Sequence, residues 1–300
     1  MIRSVSILSL LVILLAPAVQ GQAQGLKVYI SADMEGVAGA VTGEQLGPSG
    51  FEYGRFREFV TEEVNAAIRA ARAAGATEFV VSDSHGNGQN LLLERLPQDI
   101  TVVRSWPRPL MMMEGVDESF DAALFIGYHA STTNPRGVRA HTLSSATLAA
   151  VRLNGREMSE AGISAAIAGH FGVPVVMISG DDAAVDEARA MIGDGLVGAV
   201  VKWNLGFHSA RTLLPEAARD IIAEAARRGV ETRSDVEPFR LDPPLVLDLT
   251  FKSYMPAQVL AYLPNVERVD AHTVRFVGRD MPEVSAFLEF AMTYSPSLTP

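Results

Sequence analysis

Cysteine is absent from the 300 residues. That absence excludes disulfides, thiolate nucleophiles, thiolate zinc sites and iron–sulfur clusters. Any metal must therefore be held by His, Asp and Glu. Basic residues are outnumbered, with 25 Lys and Arg against 35 Asp and Glu and a net charge of −10. This balance argues against nucleic acid as a partner and against anionic membrane surfaces. There is no glycine-rich loop with a Lys to cradle a phosphate. Ser82, Ser84 and Ser144 have no base at a recognisable spacing, so a serine hydrolase is poorly supported. Internal repeats and low-complexity segments are missing too. Beyond the first two dozen residues no stretch is apolar enough to span a bilayer.

What remains is an ordinary globular, enzyme-like composition, 48% hydrophobic and 20% charged, with ample core for one large domain or two smaller ones. The first residues read as a signal peptide. Arg3 supplies the positive start, Val5 to Ala16 the short apolar run, and Gly21-Gln22-Ala23 a small-x-small cleavage site. The expectation is a leader over residues 1–23 and an exported protein, periplasmic or secreted, without a stable membrane anchor. An uncleaved anchor is the alternative.

After the leader, apolar strand-like runs alternate with helical stripes. Leu26 to Ile30, Phe79 to Val81, Ile100 to Val103, Ala122 to Ile126 and Val173 to Ile178 read as strands. Phe51 to Ala74 reads as a helix, with Phe56, Phe59, Val60, Val64, Ala67 and Ile68 on one stripe and Gly75 as its stop. The alternation predicts an α/β fold, a three-layer αβα sandwich with a mostly parallel sheet over residues 24–229. A charged, Pro-containing linker near 230–244 introduces a smaller C-terminal α+β part over residues 230–300.

Three of the first four strands end in metal-type residues: Asp33 and Glu35, then His85, then His129. In open α/β sheets, ligand sites form at the carboxyl ends of strands, so these residues should converge. Asp33 and Glu35 are two apart and point the same way on an extended chain. Alone they could be a solvated acidic loop. With the two histidines they form an N/O ligand set suited to zinc. Glu160 at a helix start and His141 in a neighbouring loop are candidates for the same place. So many ligands exceed the needs of one catalytic zinc and fit two metals sharing a carboxylate better. Gly180-Asp181-Asp182 reads as a helix N-cap, and Asp83 as either a strand cap or a support for His85.

Ser-Ala-Asp-Met-Glu-Gly at 31–36, Ser-Asp-Ser-His at 82–85, Gly-Tyr-His-Ala at 127–130, Ala-His-Thr at 140–142 and Ser-Glu-Ala-Gly at 159–162 carry a resemblance. In this order they resemble the DppA-type zinc D-aminopeptidase family, over nearly the whole chain after the leader. The resemblance implies Zn2+, two per subunit, held by Asp33, Glu35, His85, His129 and Glu160, with Asp33 as the bridge. It implies His141 as the catalytic residue, described in the family as a nucleophile. It also implies removal of N-terminal D-amino acids from short peptides, and assembly as a ten-subunit double ring. The reaction expected is metal-assisted amide hydrolysis, with His141 stabilising the oxyanion or shuttling a proton. An acyl-imidazole would still need water, which disfavours a nucleophilic His. Export points to peptides derived from peptidoglycan as the substrate. A two-metal phosphoesterase and an exported peptide-binding protein with a relict metal site are the rival readings. Ser164, the Gly206-Phe207-His208 run and the spacing from His129 to His141 depart from the family pattern and bear on substrate preference. The leader departs as well, since relatives are cytoplasmic.

Overall fold

The computed structural model describes residues 25–294, so the leader read over 1–23 lies outside the described residues. The chain opens with β1 (Leu26–Ala32), the single-turn α1 (Gly43–Leu46), α2 (Tyr53–Ala73), β2 (Ala76–Asp83), β3 (Thr101–Val103) and β4 (Ala122–Tyr128). A hairpin of β5 (Leu148–Leu153) and β6 (Arg156–Glu157) precedes α3 (Glu160–His170) and β7 (Val175–Asp181). Next come α4 (Asp182–Ile192), β8 (Val197–Gly206), β9 (Ser209–Thr212) and α5 (Pro215–Glu231). The last elements are β10 (Leu245–Phe251), α6 (Tyr254–Leu260), β11 (Val266–Arg268), β12 (Thr273–Gly278) and α7 (Met281–Thr293).

The main sheet runs β3-β2-β1-β4-β7-β8-β9 and is parallel except for β9. Its interior strand β1 is buried on both faces, which is why it reads as a continuous apolar run. Val28, Ile30 and Ala32 face the layer containing α2 and α5. Tyr29 faces the opposite layer, with α3, α4 and the second sheet behind it. The buried stripe of α2 comprises Phe56, Val60, Val64, Ala67 and Ile68. Burying each large member of it contributes about 1.5–3 kcal/mol. Phe59, expected on that stripe, is only half-buried. After α2 the chain reverses through Gly75 at φ +100, a backbone conformation that side chains disfavour.

The second sheet is antiparallel, in the order β11-β12-β10-β5-β6. In β10, Leu245, Leu247, Leu249 and Phe251 point inward. Asp248 on its other face pairs with Arg275 of β12 at 2.7 and 2.9 Å. The C-terminal part expected from residues 230–300 alone therefore takes in a hairpin from residues 148–157. The reason is pairing: β10 has β12 on one side and would expose a bare edge on the other without β5. Two short edge strands, β9 and β11, were not expected from sequence. Both are mostly exposed and lack an apolar run to mark them.

Candidate metal centre

The strand ends interlock through backbone contacts that only glycine permits. Asp33 N–H donates to the Ile126 carbonyl at 2.8 Å, and Gly36 N–H donates to the Gly127 carbonyl at 2.6 Å. A Cβ on Gly36 would lie 2.0 Å from the Tyr128 carbonyl oxygen. One on Gly127, at φ +72, would lie 2.2 Å from the Asp33 carbonyl oxygen. This close approach brings Asp33 and Glu35 of the β1 loop beside His129 of the β4 loop. His85 sits just past β2 in a loop tied down by Asp83. That carboxylate accepts from Asn90 N–H at 2.6 Å, Asn90 Nδ2 at 2.7 Å and Leu91 N–H at 2.8 Å. Asn90 Nδ2 also donates to the His85 carbonyl at 2.6 Å. Asp83 thus supports His85 through the loop and through Asn90. Glu160 opens α3 behind the N-cap Ser159, whose hydroxyl accepts from Gly162 N–H.

The six side chains form a closed ring in which carboxylates and imidazoles alternate. Asp33 lies between His85, with Oδ1 to Nδ1 at 3.1 Å, and His129, with Oδ2 to Nε2 at 3.3 Å. Glu160 lies between His129, at 3.1 Å, and His141, at 3.7 Å. Glu35 closes the ring between His141, at 4.0 Å, and His85, at 2.8 Å. His129 and His141 stack with centroids 4.1 Å apart. His141 is the loosest member and the most exposed of the three rings.

The D-aminopeptidase family profile matches residues 26–290. The chain belongs to the D-aminopeptidase family. It is 33% identical over 262 residues to the D-aminopeptidase of Bacillus subtilis (strain 168), covering 86% of this chain and 93% of that one. It is also similar to a solved structure, the Zn-dependent D-aminopeptidase DppA from Bacillus subtilis, a self-compartmentalizing protease. There the TM-score is 0.85 at 33% identity, covering 90% of this chain and 99% of that one. The chain is thus a hydrolase of a zinc-dependent peptidase family with the α/β fold expected. The expectation of export is overturned by the comparison with that relative, a self-compartmentalizing protease. The argument for a peptidoglycan-derived substrate rested on export and falls with it. Among the described residues no helix is long and apolar enough to cross a membrane.

In this chain, the second nitrogen of each histidine decides what the first can do. His85 Nε2 lies 2.7 Å from the Leu46 carbonyl, His129 Nδ1 3.0 Å from Ala130 O, and His141 Nδ1 2.8 Å from Arg139 O. A carbonyl only accepts, so each of these nitrogens carries the hydrogen. In the neutral ring the other nitrogen is then a lone pair turned toward carboxylates. Lone pairs facing carboxylates repel unless a cation lies among them. Asp33 Oδ2 and Glu35 Oε2 are buried and accept no hydrogen bond. The Glu35 oxygen lies 2.8 Å from His85 Nδ1, the nitrogen left without a hydrogen. Two donor groups could each hold an ion, Asp33–Glu35–His129 and His129–His141–Glu160. The donor set fits zinc: N and O ligands, with imidazoles oriented by carbonyls on their far side.

The same crowding shifts the titrations of the ring. Burial and the neighbouring Glu35 push the Asp33 carboxyl up to about 7. Burial opposes charge on His129, but Glu160 and Asp33 override it and push that imidazole up to about 10. His85 is likewise raised by Glu35 and Asp33 against its burial. Glu35 and Glu160 are lowered, as His85 and His129 respectively outweigh their burial. His141 goes the other way, pushed down by burial and by His129.

Sequence reasoning did not find Lys202 of β8. Its side chain is fully buried and its ammonium donates to three carbonyls of the β1 loop: Glu35, Val37 at 3.1 Å and Ala40 at 2.6 Å. It fixes the backbone that carries Glu35. A lysine inside an apolar strand was the available signal, since such residues are rarely buried without partners. Asp181 caps α4 through Ala184 N–H and takes no part in the ring. Phe207 reaches the His141 loop, its carbonyl accepting from Arg139 N–H at 2.9 Å. Ser164 accepts from the Tyr128 hydroxyl at 3.4 Å, below the pocket floor. The pocket itself measures about 400 Å³ and is lined by Asp33, Glu35, His85, His141 and Glu160 on one side. Trp106, Met112 and Leu143 contribute apolar wall, and α7 adds Glu289, Met292 and Thr293.

Proposed function

We propose that the chain removes the N-terminal residue, a D-amino acid, from short peptides by zinc-assisted hydrolysis. The observation that carries this reading is the closed ring of carboxylates and imidazoles, with its lone pairs turned inward at a pocket of about 400 Å³. Asp33, Glu35, His85, His129 and Glu160 would hold two zinc ions, with Asp33 shared because its two oxygens face different histidines. Zinc held there supplies Lewis acidity toward the scissile carbonyl and toward the attacking water.

The chain's own groups do the rest. His141 is the loose member of the ring, with Nε2 open to the pocket and Nδ1–H committed to Arg139 O. Its lowered pKa keeps it neutral near pH 7, so Nε2 can take a proton from the attacking water. The resulting imidazolium can return that proton to the leaving amine. The resting ring has no hydrogen on Nε2, which favours this shuttle over oxyanion stabilisation. Trp106, Met112 and Leu143 line the same pocket, and apolar wall there would limit bulk water around the bond being cleaved.

Zinc-loaded protein should release D-Ala from D-Ala-D-Ala, lose that activity in a chelator and regain it with zinc. No cleavage of any D-peptide by protein of verified zinc content would sink the reading. Chelator-insensitive cleavage would remove zinc from it. We further propose that the protein assembles into a closed oligomer, ten subunits by family resemblance. Leu205, Leu214 and Tyr262 are more than 70% exposed, apolar area of the kind subunits cover. Light scattering on a sizing column should give a multiple of 32.2 kDa, and a monomer mass at micromolar concentration rejects assembly.

A further inference from the structure

Glu289 has no task in the reaction just described. It lies on α7, is 7% exposed, and lines the same pocket as Glu35, His85 and His141. Its Oε1 is buried and accepts no hydrogen bond. The flanking positions on α7 are apolar: Leu288 is fully buried, and Phe287 stacks on Phe276 at 4.2 Å. A buried wall position would ordinarily be filled by another such residue, since an unpaired carboxylate there is costly.

The nearest cation does not satisfy it. The Arg108 guanidinium donates to Ser105 O, to Ser82 Oγ at 2.8 Å and to Asp83 O at 2.8 Å, with no hydrogen bond to Glu289 Oε1. Burial pushes the Glu289 carboxyl up, and the backbone N–H of Arg108 and then its charge offset this only in part. One oxygen of the carboxylate, Oε1, is therefore left without a partner at the wall of the cavity. Thr293, one turn on, donates its hydroxyl to the Glu289 backbone carbonyl rather than to the carboxylate.

We infer that Glu289 is a specificity-determining residue that binds an alkylammonium group of the peptide substrate. The inference rests on the peptidase reading above. A peptide offers two such groups, its free α-ammonium and the side-chain ammonium of a lysine-like residue. Both are compact donors that a single carboxylate oxygen can bind with a charge-assisted hydrogen bond.

The test compares wild type and E289Q, both zinc-loaded, on D-Ala-D-Ala, D-Lys-D-Ala and D-norleucyl-D-Ala. Norleucine matches the lysine chain without its charge. E289Q should raise KM about ten- to a hundred-fold, the loss of one charge-assisted hydrogen bond, while kcat changes little. A rise confined to D-Lys-D-Ala assigns the side-chain ammonium, and an equal rise on all three assigns the α-ammonium. An unchanged KM on all three peptides overturns the inference, as does a fall in kcat alone. Calorimetry with n-pentylammonium and n-pentanol on the same two proteins needs no turnover. The ammonium should bind wild type at least about tenfold more tightly than E289Q, and the alcohol should not distinguish them. Equal ammonium binding to both proteins overturns the inference. Wild type inert on every peptide, with the ammonium still discriminating, would refute the peptidase reading and leave Glu289 an ammonium site.

Discussion

Asp33→Ala protein is expected to fold, to bind zinc at neither position, and to lose at least about 10³-fold in kcat/KM. Groups that merely support a metal ligand are worth 10–100-fold when removed, and a ligand shared by two ions is worth more. Asp33 is the only carboxylate in the ring within 3.3 Å of two histidines. Glu35 is 2.8 Å from His85 but 4.0 Å from His141, so Glu35→Ala leaves the Asp33–His129–Glu160 side standing and should spare one ion. Metal analysis of the two variants makes the comparison directly. Equal zinc loss in both would deny Asp33 its shared role. The metal-free melting temperature offers a second readout. Asp33 has its carboxyl raised to about 7, so its charged form weakens the metal-free fold above that pH. Removing it should leave the metal-free protein no less stable at pH 8, while zinc no longer raises the melting temperature.

His141→Ala should behave differently: zinc content stays at the parent's level and kcat falls by about 10²- to 10⁴-fold, the usual range for a lost general acid–base. The reason is its position. At 3.7 and 4.0 Å from its two carboxylates it is the ring member held least closely, and its Nε2 opens on the pocket. In the parent, its lowered pKa keeps it a competent base below the ordinary histidine range. The acidic limb of the kcat profile should therefore lie below pH 6.5 and should vanish in the variant. Zinc lost from His141→Ala would make it a ligand. An acyl group trapped on His141 would replace the proton shuttle with a nucleophilic role.

Much of the frame was readable because its signals are local. Strand β1 is a run of apolar residues ending in Asp33 and Glu35, and α2 carries a stripe at helical spacing. A chain without cysteine leaves only His, Asp and Glu for metal. The expected strand over 122–126 continues to Tyr128, and that over 26–30 continues to Ala32. The first extension pairs Tyr128 with Gly180, and the second pairs Ser31 and Ala32 with Phe125 and Ile126, contacts that no local pattern marks. The β5–β6 hairpin lies within residues 24–229, yet it completes the sheet built around β10.

From the sequence by itself came the alternation of strands and helices, the family motifs, and the placing of carboxylates and histidines at strand ends. These depend on residue type and on spacing within a dozen positions. Only the tertiary structure decided the order of the ring, the inward turn of each imidazole nitrogen, the grip of Lys202 on the β1 loop, and the pocket wall supplied by α7 with Glu289. Each of these depends on a contact between residues far apart in the chain. Leu46 orients His85, Lys202 reaches the Glu35 carbonyl, and Glu289 lines the cavity with Glu35. Such contacts come into being only when the sheet has formed and its strand ends have been drawn together.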